Sequence, residues 1–287
     1  MYRLPVLTDI QNELMYKLKI LSSGITNTST QYKQLAKKHW DSIAKPLDSL
    51  GEFERIFQKL SAISESEIPV IDKKCITVMC SDNGVVEEGI SQSGKEVTLA
   101  VAKSMALGTS SISVLCRSCA SDLMVIDIGI DSFDSDIYSM GVINHKLMHG
   151  TNNFVKEKAM PPDISLRAIL TGIEIVENLK SKGVNIIGTG EMGIGNTTTS
   201  SALSSVLLNL PVANVTGRGA GLNDIKLQRK IDIIECGINK YGFRDKSFID
   251  SINSKSIDTR VLATIDLLSS IGGLDIAALT GIFIGGA

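Results

Sequence analysis

Apolar positions along this chain fall into two rhythms, and the alternation of the two predicts its elements. Short, nearly continuous apolar runs at Lys74 to Cys80 and Leu123 to Ile128, and the cluster Val184, Ile186 and Ile187, read as buried strands. Elsewhere the spacing widens to three or four residues. It predicts helices near Ile10 to Leu21, Glu96 to Leu107, Ser165 to Lys180 and Asn223 to Ile238, and a helical Ser/Leu segment ahead of Leu123. Asp41 to Leu60 reads as a helix interrupted by Lys45-Pro46 and Gly51, with Leu50, Phe53, Ile56, Phe57 and Leu60 as its apolar face. Val212 to Thr216 reads as a further short strand entering a glycine loop. Between Asp131 and Met160 the pattern fades into a long polar connection, a length more typical of functional or mobile segments.

Strands that alternate with helices predict an α/β fold with a doubly wound, mostly parallel, Rossmann-like sheet and a small helical subdomain. Residues 1–65 form the helical arm or subdomain and residues 66–287 the α/β nucleotide-binding domain. The last segment, Thr259 to Ala287, holds two helical runs split by Gly272-Gly273 and ends apolar throughout. An apolar terminus and the alternation of elements predict that the fold continues past Ala287. They also predict that the Leu274 to Ile284 face is left wet, in a chain that aggregates or dimerises.

At 287 residues and 43% hydrophobic content the chain can bury one sizeable core. Its net charge of -2, with scattered basic residues, gives no footprint for nucleic acid or a membrane surface, which turns attention to a small-molecule partner. No signal-like start and no 18-residue uncharged apolar run is present, so the reading is cytoplasmic. Five cysteines show no disulfide-framework spacing; Cys116-x-x-Cys119 could be a redox pair or half a zinc site, but with no second pair or nearby histidine the reading is buried or half-buried helix thiols. His145 and His149 lack an acidic third ligand at motif spacing, which favours a loop or helix end over a metal.

The candidate chemistry centres on Gly188 to Leu203, GTGEMGIGNTTTSSAL. A strand feeds a loop carrying Gly188, Gly190, Gly193 and Gly195, and Asn196 stands as N-cap ahead of Thr197 and Thr198. Glycines allow close approach and a helix N-terminus favours an anion, so the stretch predicts a phosphate or carboxylate site. Glu191 is an acid in anion-friendly surroundings, suited to a sugar hydroxyl or a cationic ring. The second glycine loop, Gly217-Arg218-Gly219-Ala220-Gly221, is expected to converge on the same ligand. Asp82 follows the first strand, where ligands bind in doubly wound sheets, or simply makes an Asx turn. No G-x-G-x-x-G follows the first strand, which argues against a dinucleotide enzyme.

Six stretches in this order resemble one family, the nicotinate-nucleotide:dimethylbenzimidazole phosphoribosyltransferases. They are Lys45-Pro46 with Ser49-Leu50-Gly51; Ser81 to Val85 with Glu88 to Ser91; Gly150 to Phe154; Gly190 to Thr198; Gly217 to Leu222; and Gly272 to Asp275. The resemblance implies a homodimer that moves phosphoribose from nicotinate mononucleotide to 5,6-dimethylbenzimidazole or a related base, without a metal or other cofactor. It implies that Glu191 and Lys230 belong to the nucleotide site, where Lys230 alone would read as a solvated helix lysine, and that Asp82 and Ser91 line the base pocket. Two departures stand out. Gly94-Lys95 replaces the family's Pro-Gln, so that Lys95 either favours a phenolic or purine acceptor or points away. The family's Gly-Glu-Gly loop with its general base is absent, so no catalytic residue is assigned and the base is expected beyond Ala287. That absence leaves open a non-catalytic base-binding paralogue or one subunit of a heteromeric transferase.

Overall fold

A computed structural model describes residues 2–287. Three helices come first: α1 (Asp9–Ser22), α2 (Thr30–Ser42) and α3 (Glu52–Ser64). Then follow β1 (Lys74–Ser81), α4 (Glu96–Ala106), α5 (Ser111–Ser118), β2 (Ser121–Gly129), the one-turn α6 (Asp136–Ser139) and β3 (Ile143–Asn144). The second half carries α7 (Pro162–Ser181), β4 (Ile186–Met192), α8 (Asn196–Leu207), α9 (Val212–Val215), α10 (Asp224–Lys240), α11 (Lys246–Ile252), α12 (Ile257–Ile271) and α13 (Leu274–Gly286). The four described strands form a parallel sheet in the order β3-β2-β1-β4.

The sheet is covered on both faces, which is why its strands read as continuous apolar runs. On one face Cys75, Met79, Ile126 and Ile128 join the main core beneath α7, α12 and α13. On the other, Val78, Cys80 and Val125 pack with Ala102 and Met105 of α4. From β1 the chain crosses to β2 on one side and later to β4 on the other. The direction of winding therefore reverses between the carboxyl ends of β1 and β4.

Several sequence expectations change. Gly188 to Met192 is strand, not loop: Gly188 pairs with Ile76 and Gly190 with Val78. A Cβ on Gly188 would lie 2.3 Å from Ile76 Cδ1, so this glycine serves close packing within the sheet. Val212 to Val215 is a single helical turn, not a strand. Its valines suggest β structure, but Pro211 starts the turn and Thr216 Oγ1 closes it on the carbonyl of Val212 at 2.7 Å. The interruption expected at Lys45-Pro46 and Gly51 is present, and it separates two helices. α2 ends at Ser42, and α3 starts only after Asp48 and Gly51, both with positive φ. The connection from 131 to 160 gains α6 and β3, and it is anchored by buried Asp127. That carboxylate accepts from Ile130 N at 2.8 Å and Tyr138 Oη at 2.9 Å, and pairs with Lys146 at 3.3 Å.

The terminal apolar helix is not left wet. Leu274, Ala277, Ala278 and Ile282 of α13 are buried against α7 and the sheet. The approach is backbone to backbone: a Cβ on Gly172 would lie 2.1 Å from the carbonyl oxygen of Ala278, and one on Gly281 1.9 Å from that of Ile169. At the other end of the chain α1 packs on α7 and α13, whereas α2 and α3 pack chiefly on one another. Glu96 to Ser118 is apolar enough to cross a membrane by composition, but it is two helices with a turn at Gly108 (φ 76°) between them.

Candidate active site

The turn after β4 is built by two glycines with different jobs. Gly193 crosses so close to β1 that a Cβ would sit 1.8 Å from the carbonyl oxygen of Ser81, a contact no other residue tolerates. Gly195 adopts φ 94° and is the residue that caps α8; Asn196, expected there, is the first helical residue instead. The N–H groups of this turn are also less free than a bare helix end would leave them. Asn196 N donates to Gly193 O at 3.1 Å, Thr198 N to Gly195 O at 2.9 Å, and Thr197 N to the Asn196 side chain at 2.7 Å.

The missing positive charge comes from α10. Lys230 is buried, 1% exposed, and its Nζ donates to Thr197 Oγ1 at 2.8 Å and to Gly217 O at 3.3 Å. It thereby joins the two glycine loops, and Gly219 lies against the same threonine. The second loop follows a helical turn, yet the expected convergence holds in space. Among the described residues no carboxylate pairs with Lys230, and burial alone lowers its pKa to about 8. A desolvated ammonium without a counter-ion is costly unless an anion completes it.

Lys230, Thr197, Asn196, Gly193, Gly195, Gly219 and Ser91 line one cleft of about 70 Å³, together with Arg218 and Gln92. Gln92 also donates to the carbonyl of Gly221, and Arg218 holds Asp224, so the walls are tied across. Glu191 stands exposed at the rim, its carboxylate accepting from Asn196 Nδ2. A larger cavity of about 700 Å³ runs between α1, α12 and α13. Its walls are mainly aliphatic, with Lys19, Asp258 and Arg260 among them, and none of the expected site residues lines it.

Asp82 and Lys95 lie in an adjoining cluster. Asp82 is buried with both oxygens engaged: Oδ1 accepts from Thr98 Oγ1 at 2.6 Å and Oδ2 from Asp131 N at 2.9 Å. Burial pushes its carboxyl above the usual range against these bonds. Lys95 Nζ reaches Asp131 at 3.0 Å, with both side chains about one-third exposed. Thr98 connects the two clusters, since its hydroxyl also accepts from Ile194 N at 3.1 Å. Sequence reasoning assigned no role to Thr98, which stands in the stretch after Gly94-Lys95, or to Asp131, which opens the long polar connection. It quoted Arg218 and Asp275 only inside motifs, without a role.

The cysteines are free thiols; Cys116 is buried in α5 as expected, whereas Cys119 is exposed because it caps the end of that helix. His145 and His149 sit in the loop after β3.

Residues 25–287 match a family model described as phosphoribosyltransferase. A nicotinate-nucleotide–dimethylbenzimidazole phosphoribosyltransferase of Ruminiclostridium cellulolyticum is 43% identical over 265 residues, covering 92% of this chain and 70% of the relative. One of Acetivibrio thermocellus is 44% identical over 253 residues, covering 88% and 67%. A solved structure of the enzyme of that name from Thermus thermophilus superposes with a TM-score of 0.76 at 26% identity, covering 90% of this chain and 71% of the other.

Proposed function

Because the chain belongs to the nicotinate-nucleotide–dimethylbenzimidazole phosphoribosyltransferase family, we propose that it moves phosphoribose from nicotinate mononucleotide to a benzimidazole-type base. The products are nicotinate and α-ribazole 5'-phosphate, and the reaction serves cobalamin lower-ligand synthesis. The observation that carries the proposal is Lys230, a buried ammonium with no acidic partner among the described residues, held at the junction of two glycine loops.

The substrate phosphate completes Lys230 and sits against Thr197 and the Gly193–Gly195 turn. That places the ribose and its pyridinium toward Glu191 at the rim, where a carboxylate opposes the ring's positive charge and the charge that develops at C1'. The bond from C1' to the pyridinium nitrogen breaks, and its electron pair leaves with nicotinate as a neutral ring. A nitrogen lone pair of the incoming base forms the new bond to C1', and the proton of that base is lost to a general base. The chain's own groups bind and orient, which converts a two-substrate encounter into an attack within one complex.

Asp82, Ser91 and Lys95 form the side from which the acceptor approaches, and the Lys95–Asp131 pair bears on which base is taken. The same reading includes a small helical subdomain within residues 1–65, the α/β domain of residues 66–287, a cytoplasmic location and a homodimer. In support of a dimer, the α3 side of the arm exposes Leu50, Phe53 and Ile56. A non-catalytic paralogue or a heteromer subunit is not favoured, since the relatives compared carry the transferase name.

Calorimetric titration with nicotinate mononucleotide, followed by chromatography for nicotinate after adding 5,6-dimethylbenzimidazole, tests the proposal. Saturable binding and base-dependent release of nicotinate are expected. Neither binding at millimolar nucleotide nor any release would sink it.

A further inference from the structure

Asp275 stands in the first turn of α13 and is fully buried. Its Oδ1 accepts the N–H of Ile276 at 2.9 Å, as an acid at a helix N-terminus commonly does. Its Oδ2 meets no donor among the described residues. Its electrostatic neighbour is a second acid, Glu191 of β4, whose carboxylate is held on its other side by Asn196. Two ionised carboxylates in contact, one of them out of water, oppose each other through desolvation and like charge. Burial first and Glu191 second push the Asp275 carboxyl well above the usual carboxylate range. A single proton between the two resolves the conflict, because Oδ2–H becomes a donor and Glu191 its acceptor.

We infer that Asp275 is a proton-bearing positioning residue, which stays neutral at physiological pH, donates to Glu191 and, with Asn196, fixes that carboxylate at the rim of the cleft. The ligand it serves rests on the transferase reading; the shared proton does not. The helix cannot easily back away to let water in, since α13 meets α7 through the glycine contacts at Gly172 and Gly281. Among the described residues the Cys80 thiol of β1 also faces the pair, itself pushed up by burial first and then by Asp127, with Asp82 contributing less. Gly273 and the side chain of Asn83 stand beside Asp275, the carboxyl and amide oxygens both lying against that glycine, and neither neighbour is charged. Elsewhere along α13, Gly129 of β2 and Ile169, Gly172 and Ile173 of α7 add no charge. The pair therefore presents one negative charge to the ligand, not two, and its carboxylate does not swing.

Infrared spectroscopy of the protonated-carboxyl band, on the native chain and on Asp275→Asn, tests the proton directly. The native protein at pH 7 is expected to show a band that Asp275→Asn lacks, and Glu191→Gln should make that band titrate at lower pH. Absence of the band at pH 7, or indifference to Glu191→Gln, overturns the inference. Nucleotide binding tests the positioning. Asp275→Asn keeps a donor at the same place and should bind nicotinate mononucleotide within about threefold of the native chain. Asp275→Leu should lose about tenfold or more, the effect of one hydrogen bond to a charged group. Equal losses in both variants overturn the positioning role, and if Asp275→Leu does not fold the infrared results decide. A native chain that shows the band but binds no nucleotide refutes the transferase reading and leaves the shared proton standing.

Discussion

Replacing Lys230 by methionine should stabilise the ligand-free protein while disabling its anion site. The lysine is buried, and burial lowers its pKa from 10.5 to about 8. That difference corresponds to roughly 3 kcal/mol carried by the folded state at neutral pH. Its hydrogen bonds to Thr197 Oγ1 and Gly217 O return about 1 kcal/mol each. Methionine has a similar shape and no charge to desolvate, so Lys230→Met should gain roughly 1–2 kcal/mol at pH 7. Below about pH 8 the lysine is charged in both folded and unfolded chains, and the full cost applies. Between about 8 and 10.5 the folded lysine is neutral while the unfolded one is still charged. The native protein should therefore gain stability with rising pH through that window and close the gap to the variant. Urea unfolding at pH 7 and pH 10 measures the difference, and calorimetry with inorganic phosphate measures the cost. Native affinity for phosphate should fall as pH rises through about 8, and Lys230→Met should bind at least about tenfold more weakly at pH 7. A variant less stable than the native chain at pH 7, or one that binds phosphate equally well, would refute the reasoning.

Other substitutions probe the frame around the cleft. Gly193→Ala would drive a Cβ to 1.8 Å from the Ser81 carbonyl oxygen, so a loss of roughly 2 kcal/mol or more in urea unfolding is expected, together with lost nucleotide binding. Thr98→Val removes both the donor to Asp82 and the acceptor of Ile194 N; a loss of about 3 kcal/mol or more in thermal unfolding is expected, because a buried carboxylate is left short of a partner. Lys95→Gln breaks the ion pair with Asp131, and should change relative kcat/KM among benzimidazole, phenolic and purine acceptors by more than it changes nucleotide affinity. Equal effects on both would detach Lys95 from acceptor choice.

Much of the fold was legible in the chain because its strongest signals are local. β1 and β2 appeared as unbroken apolar runs since a sheet covered on both faces asks for nothing else, and α7 appeared because its apolar stripe recurs every three to four residues. The errors came where local chemistry has two uses. Gly188 and Gly190 look like a loop, yet they are strand residues thinned to make room for Ile76 and Val78. The valines of Val212 to Val215 look like a strand, yet after Pro211 they make one helical turn.

By itself the sequence determined the α/β alternation and the glycine-rich turns at Gly193 to Gly195 and Gly217 to Gly221, since each is written in contiguous residues; Lys230 was tied to them only through the family resemblance. Only the tertiary structure decided which charges are paired. Lys230 could have been a solvated helix lysine; packing α10 against α8 buried it beside Thr197, with no acid paired to it among the described residues. Asp275 could have been an ordinary helix-starting acid; docking α13 on α7 placed it beneath Glu191, away from water. Burial and proximity set the cost of a charge, and both are properties of chain segments that are far apart in the sequence.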